Sequence, residues 1–173
     1  TNIRKINGSV DLESEPGKGS QIIIKLPLTI AIIQALMVEV ERSIFAIPLS
    51  TVIEAVRISR SEIKTINGRE VLHLRDRVLP LIRLAQEFDI PTDSNRERFY
   101  VVVAALGDRR VGVVVDELRS QEEVVIKSIW ANLETVKGVS GATITGEGKV
   151  VLILDTSELV QNAQAWHNPG IAA

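Results

Sequence analysis

Residues 26–40 read LPLTIAIIQALMVEV, and no charged side chain occurs among them between Leu28 and Val38. The uncharged run is well short of the roughly 20 apolar residues that a membrane-spanning helix needs. Pro27 favours an extended entry, because a proline pushes the residue before it out of the helical region. The apolar pattern alone fits both a strand buried on two faces and a buried helix segment. We interpret the run as a buried strand at the point where two domains join.

The composition indicates an aliphatic core. Hydrophobic residues make up 45% of the 173 residues and aromatic residues only 3%, so Val, Ile and Leu must fill the interior, and β-branched residues favour strands. Charge is nearly balanced, with 20 Lys and Arg against 22 Asp and Glu. Nucleic-acid binding is disfavoured, because it needs a clustered cationic surface. The sequence has no Cys, which excludes disulfides and thiolate zinc sites. Because the chain begins at Thr1 and its only methionine is Met37, we expect it to be a piece of a longer protein.

A β-hairpin precedes the apolar run. Residues 9–14 alternate polar and apolar side chains, residues 15–19 (EPGKG) form a loop, and residues 20–26 return as a second strand. The segment Gly17-Lys18-Gly19-Ser20 has the composition of a phosphate-binding loop. Its residue order is wrong for that motif, however, and a strand follows it where the motif requires a helix. A hairpin turn is therefore the better interpretation.

Short strands and tight turns fill the chain after residue 36. Asn67-Gly68 predicts a tight turn, and a second hairpin is expected to turn at Asp76-Arg77. Residues 59–66 are predicted to form a loop or one short helix. A short helix is predicted at residues 84–88, and a polar loop at residues 89–98. A closing helix is predicted at residues 156–163, with Thr156 or Ser157 as its N-cap, followed by a tail at residues 164–173.

The strand pattern occurs twice. The hairpin at residues 99–116 resembles the one at residues 37–49, and the hairpin at residues 142–154 resembles the one at residues 71–82. Alignment gives an offset of about 66 residues for the first pair and about 72 for the second, which indicates internal duplication. Each half holds about five short strands, enough to close a small barrel without free sheet edges. We predict two small β-barrels that share one aliphatic interface.

No catalytic or metal-binding constellation is evident in the residues. His73 is expected at the surface of a strand and His167 in the tail, and a metal site lacks further ligands because there is no Cys. The sequence has no Gly-x-Ser-x-Gly motif. Three carboxylates that lie close in sequence are interpreted as a solvated face: Glu117, Glu122 and Glu123. We expect no catalytic residue and no metal site.

The turn Arg75-Asp76-Arg77 has two interpretations that the residues leave open. One is turn chemistry together with solubility. The other is a protein-binding surface, because exposed arginines rimmed by aliphatic residues are typical of such surfaces.

Several ordered segments together resemble the chemotaxis histidine kinase family. The stretch from EPGKGS at residues 15–20 to KLPL at residues 25–28 is similar to the closing hairpin of a GHKL-type ATP-binding domain. The continuation TIAIIQAL at residues 29–36 is similar to the junction at which CheA kinases pass into their CheW-like regulatory domain. Later segments agree with that domain: GVVVDEL at 112–118, EVVIK at 123–127, GVSGA at 138–142 and VLILD at 151–155. The resemblance covers nearly the whole chain except the tail.

The resemblance implies a fold and a division of the chain. The fold is mainly β, with two SH3-like five-stranded β-barrels in pseudo-twofold symmetry, preceded by a hairpin remnant of an α/β ATPase domain. Residues 1–28 would be that remnant of the ATP-binding domain, residues 29–163 the CheW-like regulatory domain, and residues 164–173 the tail.

The resemblance also implies a function. Such a domain binds the adaptor CheW and the cytoplasmic tips of chemoreceptors, and it transmits receptor state to the rest of the kinase. It works in the cytoplasm, in receptor arrays at the inner membrane face, without nucleic acid and without inserting into the membrane. ATP and Mg belong to upstream parts of the parent kinase, as do the phosphoacceptor His and the dimerisation helices. No cofactor is expected in residues 1–173.

Specific residues carry over from the resemblance. Leu74-Arg75 matches the recurring Leu-Arg-Gly segment of the family, so Arg75 carries over as a contact or scaffold arginine, while Asp76 departs from the usual Gly. Because Asp tolerates the left-handed region better than most residues, we expect a slightly altered turn. The expected partner-binding residues are Ile58, Arg75, Arg77 and Val78.

Three alternatives compete with this interpretation. A free-standing CheW-type adaptor would account for the barrels but not for the hairpin at residues 9–26. A complete ATPase would require the nucleotide-contacting motifs, which this sequence does not contain. An oligonucleotide-binding barrel is disfavoured by the charge balance and by the scarcity of aromatic residues for base stacking.

Overall fold

The computed structural model describes residues 9–15, 19–25, 32–92, 95–126 and 136–165. The chain divides into two units, residues 1–31 and residues 32–173. In the first unit, β1 (Ser9–Glu15) pairs antiparallel with β2 (Gly19–Lys25), with Ser9 opposite Lys25. This pairing confirms the predicted N-terminal hairpin.

The second unit is mainly β, as predicted. Its strands are β3 (Ile32–Val40), β4 (Ser43–Pro48), β5 (Val52–Ser59), β6 (Ile63–Ile66), β7 (Arg69–Leu74), β8 (Arg77–Arg83), β9 (Arg98–Leu106), β10 (Arg109–Val115), β11 (Glu117–Val125), β12 (Val139–Ile144) and β13 (Val150–Leu154). Its α-helices are α1 (Leu84–Glu87) and α2 (Thr156–Ala165), and short 3-10 turns cover Leu49–Thr51 and Arg60–Glu62.

The strands form two SH3-like barrels. Barrel 1 has the strand order β11-β3-β4-β13-β12, and its outer strands β11 and β12 approach each other. Barrel 2 has the order β5-β9-β10-β8-β7-β6. Strand β6 is additional to the predicted five and occupies part of residues 59–66, where we expected a loop or short helix. All pairs are antiparallel except β4–β13 and β8–β10, which are parallel.

The barrels do not correspond to the two halves of the sequence, which corrects the prediction that each half closes a barrel. Barrel 1 combines β3 and β4 from the start of the unit with β11, β12 and β13 from its end. Barrel 2 is built from the strands between them. The chain therefore crosses from barrel 1 to barrel 2 after β4, and returns after β10.

The internal repeat is visible in the parallel pairings. Ala46 on β4 lies opposite Ile153 on β13, and Gly112 on β10 lies opposite Leu81 on β8. Ala46 precedes Gly112 by about 66 residues and Leu81 precedes Ile153 by about 72, the two offsets found in the sequence. The two offsets therefore relate the parallel pair β4–β13 of barrel 1 to the parallel pair β10–β8 of barrel 2.

Strand β3 is buried on both of its faces, as predicted for a charge-free run. Ala35 and Met37 point into barrel 1, where they pack with Ala46 and Ile153. Alternate residues Leu36, Val38 and Val40 point into a larger core between the barrels, because successive side chains of a strand leave on opposite faces. That shared core also contains Leu154 of β13 and these residues of barrel 2 and of α2: Val102, Val113, Val115, Leu159 and Val160. The two barrels thus share one aliphatic interface. Residues 26–31, where the domain junction was predicted, lie outside the described residues.

Other local predictions differ in detail. Strand β11 was not predicted, although the exposure of Glu117, Glu122 and Glu123 on it agrees with a solvated face. Helix α2 ends at Ala165, two residues later than predicted, so the expected tail overlaps it. The Asn67-Gly68 turn is confirmed: both residues have positive φ, and Ile66 pairs directly with Arg69.

Candidate protein-binding surface at the tip of barrel 2

A groove of about 580 Å³ lies at one end of barrel 2. Three elements form it: the start of β5, the β7–β8 turn with the first half of β8, and the β9–β10 turn. Its charged lining residues are Glu54, Arg75, Asp76, Arg77, Asp108, Arg109 and Arg110. Its apolar lining residues are Leu74, Val78, Leu79, Pro80 and Val103. We call this groove the barrel 2 tip.

The turn that carries Arg75 is displaced by one residue from the predicted position. Leu74 pairs with Arg77, so the two turn residues are Arg75 and Asp76 and not Asp76 and Arg77. The left-handed conformation falls on Arg75, whose φ is 54°, and not on Asp76 as expected. A positive φ is uncommon for a residue other than glycine.

An ion pair holds the Arg75 side chain across the groove. Arg75 Nη2 donates to Glu54 Oε2 on β5 at 2.9 Å. Since the Arg75 side chain is 76% exposed, the pair contributes only about 0–1 kcal/mol to stability. Its main effect is therefore orientation of the guanidinium at the groove rim.

The structure brings together three of the four predicted site residues and separates the fourth. Arg75, Arg77 and Val78 line the barrel 2 tip, and Val78 is 56% exposed. Ile58 is only 4% exposed and packs inside barrel 2. It has no surface to offer a partner, so we remove it from the candidate site. His73, paired with Val78 across the hairpin, is exposed as predicted.

Sequence reasoning missed the other charged members of the groove. Glu54 comes from the mainly apolar first half of β5, and Arg109 and Arg110 follow the turn after β9. Their proximity to Arg75 depends on strand register, which no local pattern reveals. A single charge in the run Val52–Val56 was the available signal for Glu54.

Barrel 1 carries a related turn in which a glutamate stands at the position of Arg75. Glu147, in the β12–β13 turn, is related to Arg75 by the second repeat offset. Lys149 Nζ lies 3.0 Å from the Glu147 carboxylate. The hydrogen bond from Lys149 chiefly lowers the pKa of Glu147, with a smaller electrostatic contribution from Arg119 on β11. Arg119 lies beside a register shift in β11, as Glu54 does in β5. Arg119 itself forms an ion pair with Glu39 on β3, and the ion-pair partner of Glu147 is Lys149 in the same connection. The pair therefore joins the turn to a strand in barrel 2, whereas in barrel 1 it stays within the β12–β13 connection.

Apolar residues are exposed beside this turn. Ile144 and Val150 face each other across the β12–β13 hairpin, and both are more than half exposed. Val150 is the second-offset counterpart of Val78. Each barrel therefore has an exposed aliphatic residue at the start of the strand that follows its tip turn.

Among the described residues, no group of three or more His, Asp or Glu side chains is placed to hold a metal ion. No helix in the described part of the chain is long and apolar enough to cross a bilayer.

Comparison with known proteins gives the family. The CheW-like domain model matches residues 34–164. The sensor histidine kinase CheAY of Helicobacter pylori is 48% identical over 167 residues, which are 95% of this chain and 21% of that kinase. The chemotaxis protein CheA of Treponema pallidum is 40% identical over 163 residues, covering 93% of this chain and 20% of that protein. The chain thus spans about a fifth of the length of these relatives.

A solved structure shows the same fold. The scaffolding protein TtCheW from Thermoanaerobacter tengcongensis matches with a TM-score of 0.62, over 72% of this chain and 90% of that chain. Their sequence identity is 17%, so this likeness speaks for the fold alone. Because the family model covers most of the chain and the CheA relatives are much closer in sequence, this chain belongs to the CheW-like domain family, in the form found in CheA-type chemotaxis kinases.

Proposed function

We propose that this chain is the regulatory and scaffold domain of a chemotaxis histidine kinase, which binds the adaptor CheW and chemoreceptor tips. The observation that carries the proposal is the barrel 2 tip, an open groove rimmed by Arg75 and Arg77 with the exposed Val78 beside them. Arginine next to exposed aliphatic surface is the composition expected of an interface centre. The net charge of the groove lining is slightly positive, since four arginines face three carboxylates.

The framework of the groove is suited to binding. Arg77 and Val78 pair with Leu74 and His73 of β7, and further along β8 residues 81–83 pair with β10, so the strand that carries them is fixed in the sheet. A surface organised before binding loses little conformational entropy when the partner arrives.

The proposed mechanism is allosteric and makes or breaks no covalent bond. Receptor and adaptor contacts bias the position of the neighbouring catalytic domain, and such couplings are typically about 1–3 kcal/mol, or roughly 5–150-fold in affinity. ATP and Mg would act elsewhere in the kinase. In this proposal the domain works in the cytoplasm, within receptor arrays at the inner membrane face.

We further propose that residues 1–28 close an ATP-binding domain, that residues 29–163 are the regulatory domain, and that residues 164–173 are a tail. The hairpin supports the first assignment. Its cross-strand partners Leu12 and Ile22 are both exposed, and an isolated two-stranded hairpin is at best marginally stable in water. The free-standing adaptor is disfavoured, because the relatives at 40–48% identity are kinases about five times as long.

The test is calorimetric titration of a purified CheW adaptor into this chain. The double variant Arg75→Glu, Val78→Lys is expected to weaken binding at least tenfold, because it places a repelling carboxylate and a buried ammonium in the interface. The matched control is Lys64→Glu, Ile66→Lys on β6, which makes the same kinds of change at two exposed positions outside the groove. Equal dissociation constants for the wild type and the tip variant would rule out the barrel 2 tip as the adaptor site.

A further inference from the structure

A second cluster of charge lies where the two barrels meet. Asp116 is the single residue between β10 of barrel 2 and β11 of barrel 1, and its side chain is only 9% exposed. Its Oδ2 accepts a hydrogen bond from the backbone N–H of Glu41 at 2.7 Å, and its Oδ1 lies 3.2 Å from Nε of Arg96. The backbone N–H of Asp116 donates to the carbonyl of Glu39 at 2.9 Å. One carboxylate thus touches both barrels.

On the side of barrel 1, the contact falls on an unusual backbone conformation. Glu41 opens the turn between β3 and β4 with a φ of 53°. A positive φ is unfavourable in free energy for any residue other than glycine. It persists where surrounding contacts favour it. The hydrogen bond from the Glu41 N–H to Asp116 is such a contact. The side chain of Glu41 also approaches Arg96, at 3.9 Å.

On the side of barrel 2, the contact comes from an anchored connection. Arg96 stands two residues before β9, in the segment that links α1 to that strand. Near one end of the segment the Ile90 N–H donates to the Ala85 carbonyl at 2.7 Å. Near the other end the Glu97 carbonyl accepts from the Arg60 N–H at 2.9 Å. A displacement of β9 would therefore move Arg96 with it.

The cluster separates two cavities. One of about 530 Å³ is lined in part by Arg83, Phe99 and Ile90, and another of about 330 Å³ by Arg57 and Tyr100. Arg96 and Asp116 line both. Close-packed aliphatic side chains join the barrels elsewhere, whereas here the wall consists of a polar pair with space on each side. Such a contact can open without disrupting the shared core.

We propose that Arg96, Asp116 and Glu41 form a latch between the barrels. Arg96 of barrel 2 holds the Asp116 carboxylate in the orientation that accepts the Glu41 N–H, and so sets the β3–β4 turn of barrel 1. A displacement of β9 would thereby reach a turn in the other barrel, although Arg96 does not touch the Glu41 N–H. The latch does not depend on the identity of any partner of the barrel 2 tip.

The experiment follows the Glu41 amide in the 173-residue chain by NMR. Its hydrogen exchange and its proton chemical shift are compared in wild type, Arg96→Met, Asp116→Asn and the double variant. The control is Arg98→Met, an exposed arginine two residues away. Global stability of each variant is measured by denaturant unfolding, so that local opening is separated from global unfolding.

The latch predicts that Arg96→Met speeds Glu41 exchange about tenfold or more and shifts its amide proton upfield, while Arg98→Met leaves both unchanged. In the Asp116→Asn background, Arg96→Met should add little, because residues acting through one another give non-additive effects. An unchanged Glu41 amide in Arg96→Met would overturn the proposal. So would additive effects of the two substitutions, which would mean that Arg96 and Asp116 act independently. If Asp116→Asn does not fold, the comparison of Arg96→Met with Arg98→Met still decides.

Discussion

Gly112 on β10 faces Leu81 on β8 so closely that a Cβ added to the glycine would lie 2.6 Å from Leu81 Cδ2. Val101 Cγ1 would lie at 2.7 Å and Leu79 Cδ2 at 2.9 Å. The equivalent position in barrel 1 is Ala46, which is fully buried opposite Ile153. The repeat therefore admits a methyl group in one barrel interior and excludes it from the other.

Gly112→Ala is expected to destabilise the chain by about 1–3 kcal/mol, because overpacking a dense interior forces side chains or backbone to shift. The measurement is the free energy of unfolding by denaturant. Gly146→Ala is the matched control, since an added Cβ there meets no atom within 4 Å. Equal stability of Gly112→Ala and wild type would show that Leu79 and Leu81 move aside freely.

Glu158 ties the start of α2 to the turn that precedes β12. Its Oε2 accepts a hydrogen bond from the Gly138 N–H at 2.9 Å, and its own N–H donates to Asp155 Oδ1 at 3.0 Å. Glu158→Ala is expected to cost about 1–2 kcal/mol, because it leaves a half-buried donor unpaired and removes a negative charge from a helix N-terminus. Denaturant unfolding measures this cost, with Gln161→Ala on the exposed face of the same helix as control. A cost no larger than that of the control would mean that the Gly138 contact is unimportant for stability.

Glu62 makes the stability of the fold depend slightly on pH in the acidic range. The backbone N–H of Ser59, and then the Ser59 hydroxyl, donate to the Glu62 carboxylate and lower its pKa. A carboxyl whose pKa is lower in the folded state stabilises the fold above its unfolded pKa, and this contribution disappears as pH falls through the folded pKa. An NMR titration should give Glu62 a pKa below that of an ordinary glutamate. Ser59→Ala should raise that pKa only in part, since the backbone donor remains; a complete return to the ordinary value would assign the whole effect to the hydroxyl.

The local elements and the internal repeat could be predicted from the sequence, because both follow from patterns along the chain. The alternation in residues 9–14 and the Asn67-Gly68 turn act over a few residues, and the offsets of about 66 and about 72 anticipate the parallel pairings. The exchange of strands between barrels was not accessible, since β4 pairs with β13 only through the packing of the whole unit. For the same reason Ile58 was expected among the partner-binding residues although its side chain is buried, because the face of a strand that is buried depends on its partners.

In the candidate site, too, residues that lie close in sequence could be predicted, whereas residues brought together by strand register could not. The apolar hairpin marked Arg75, Arg77 and Val78, which stand together on β8 and its turn. Glu54 and Arg109 reach the groove from β5 and from the start of β10, and only the register of β9 with both strands places them there. The one-residue displacement of the turn also depends on register, since Arg75 becomes a turn residue only when Leu74 pairs with Arg77.

The ion pair between Arg75 and Glu54 allows stability and recognition to be separated by exchanging the charges. Arg75→Glu alone sets two carboxylates against each other, so we expect a loss of about 0.5–1 kcal/mol in the free energy of unfolding together with weaker adaptor binding. Adding Glu54→Arg restores an attractive pair with the charges exchanged, and should therefore restore stability. It should not restore binding, because the partner meets a carboxylate where Arg75 presented a guanidinium. The measurements are denaturant unfolding and calorimetric titration with CheW, with Glu54→Arg alone as control. Recovery of both quantities in the exchanged variant would mean that Arg75 serves the turn and not the partner, since a direct contact depends on the sign of the charge and an internal pair only on opposite signs.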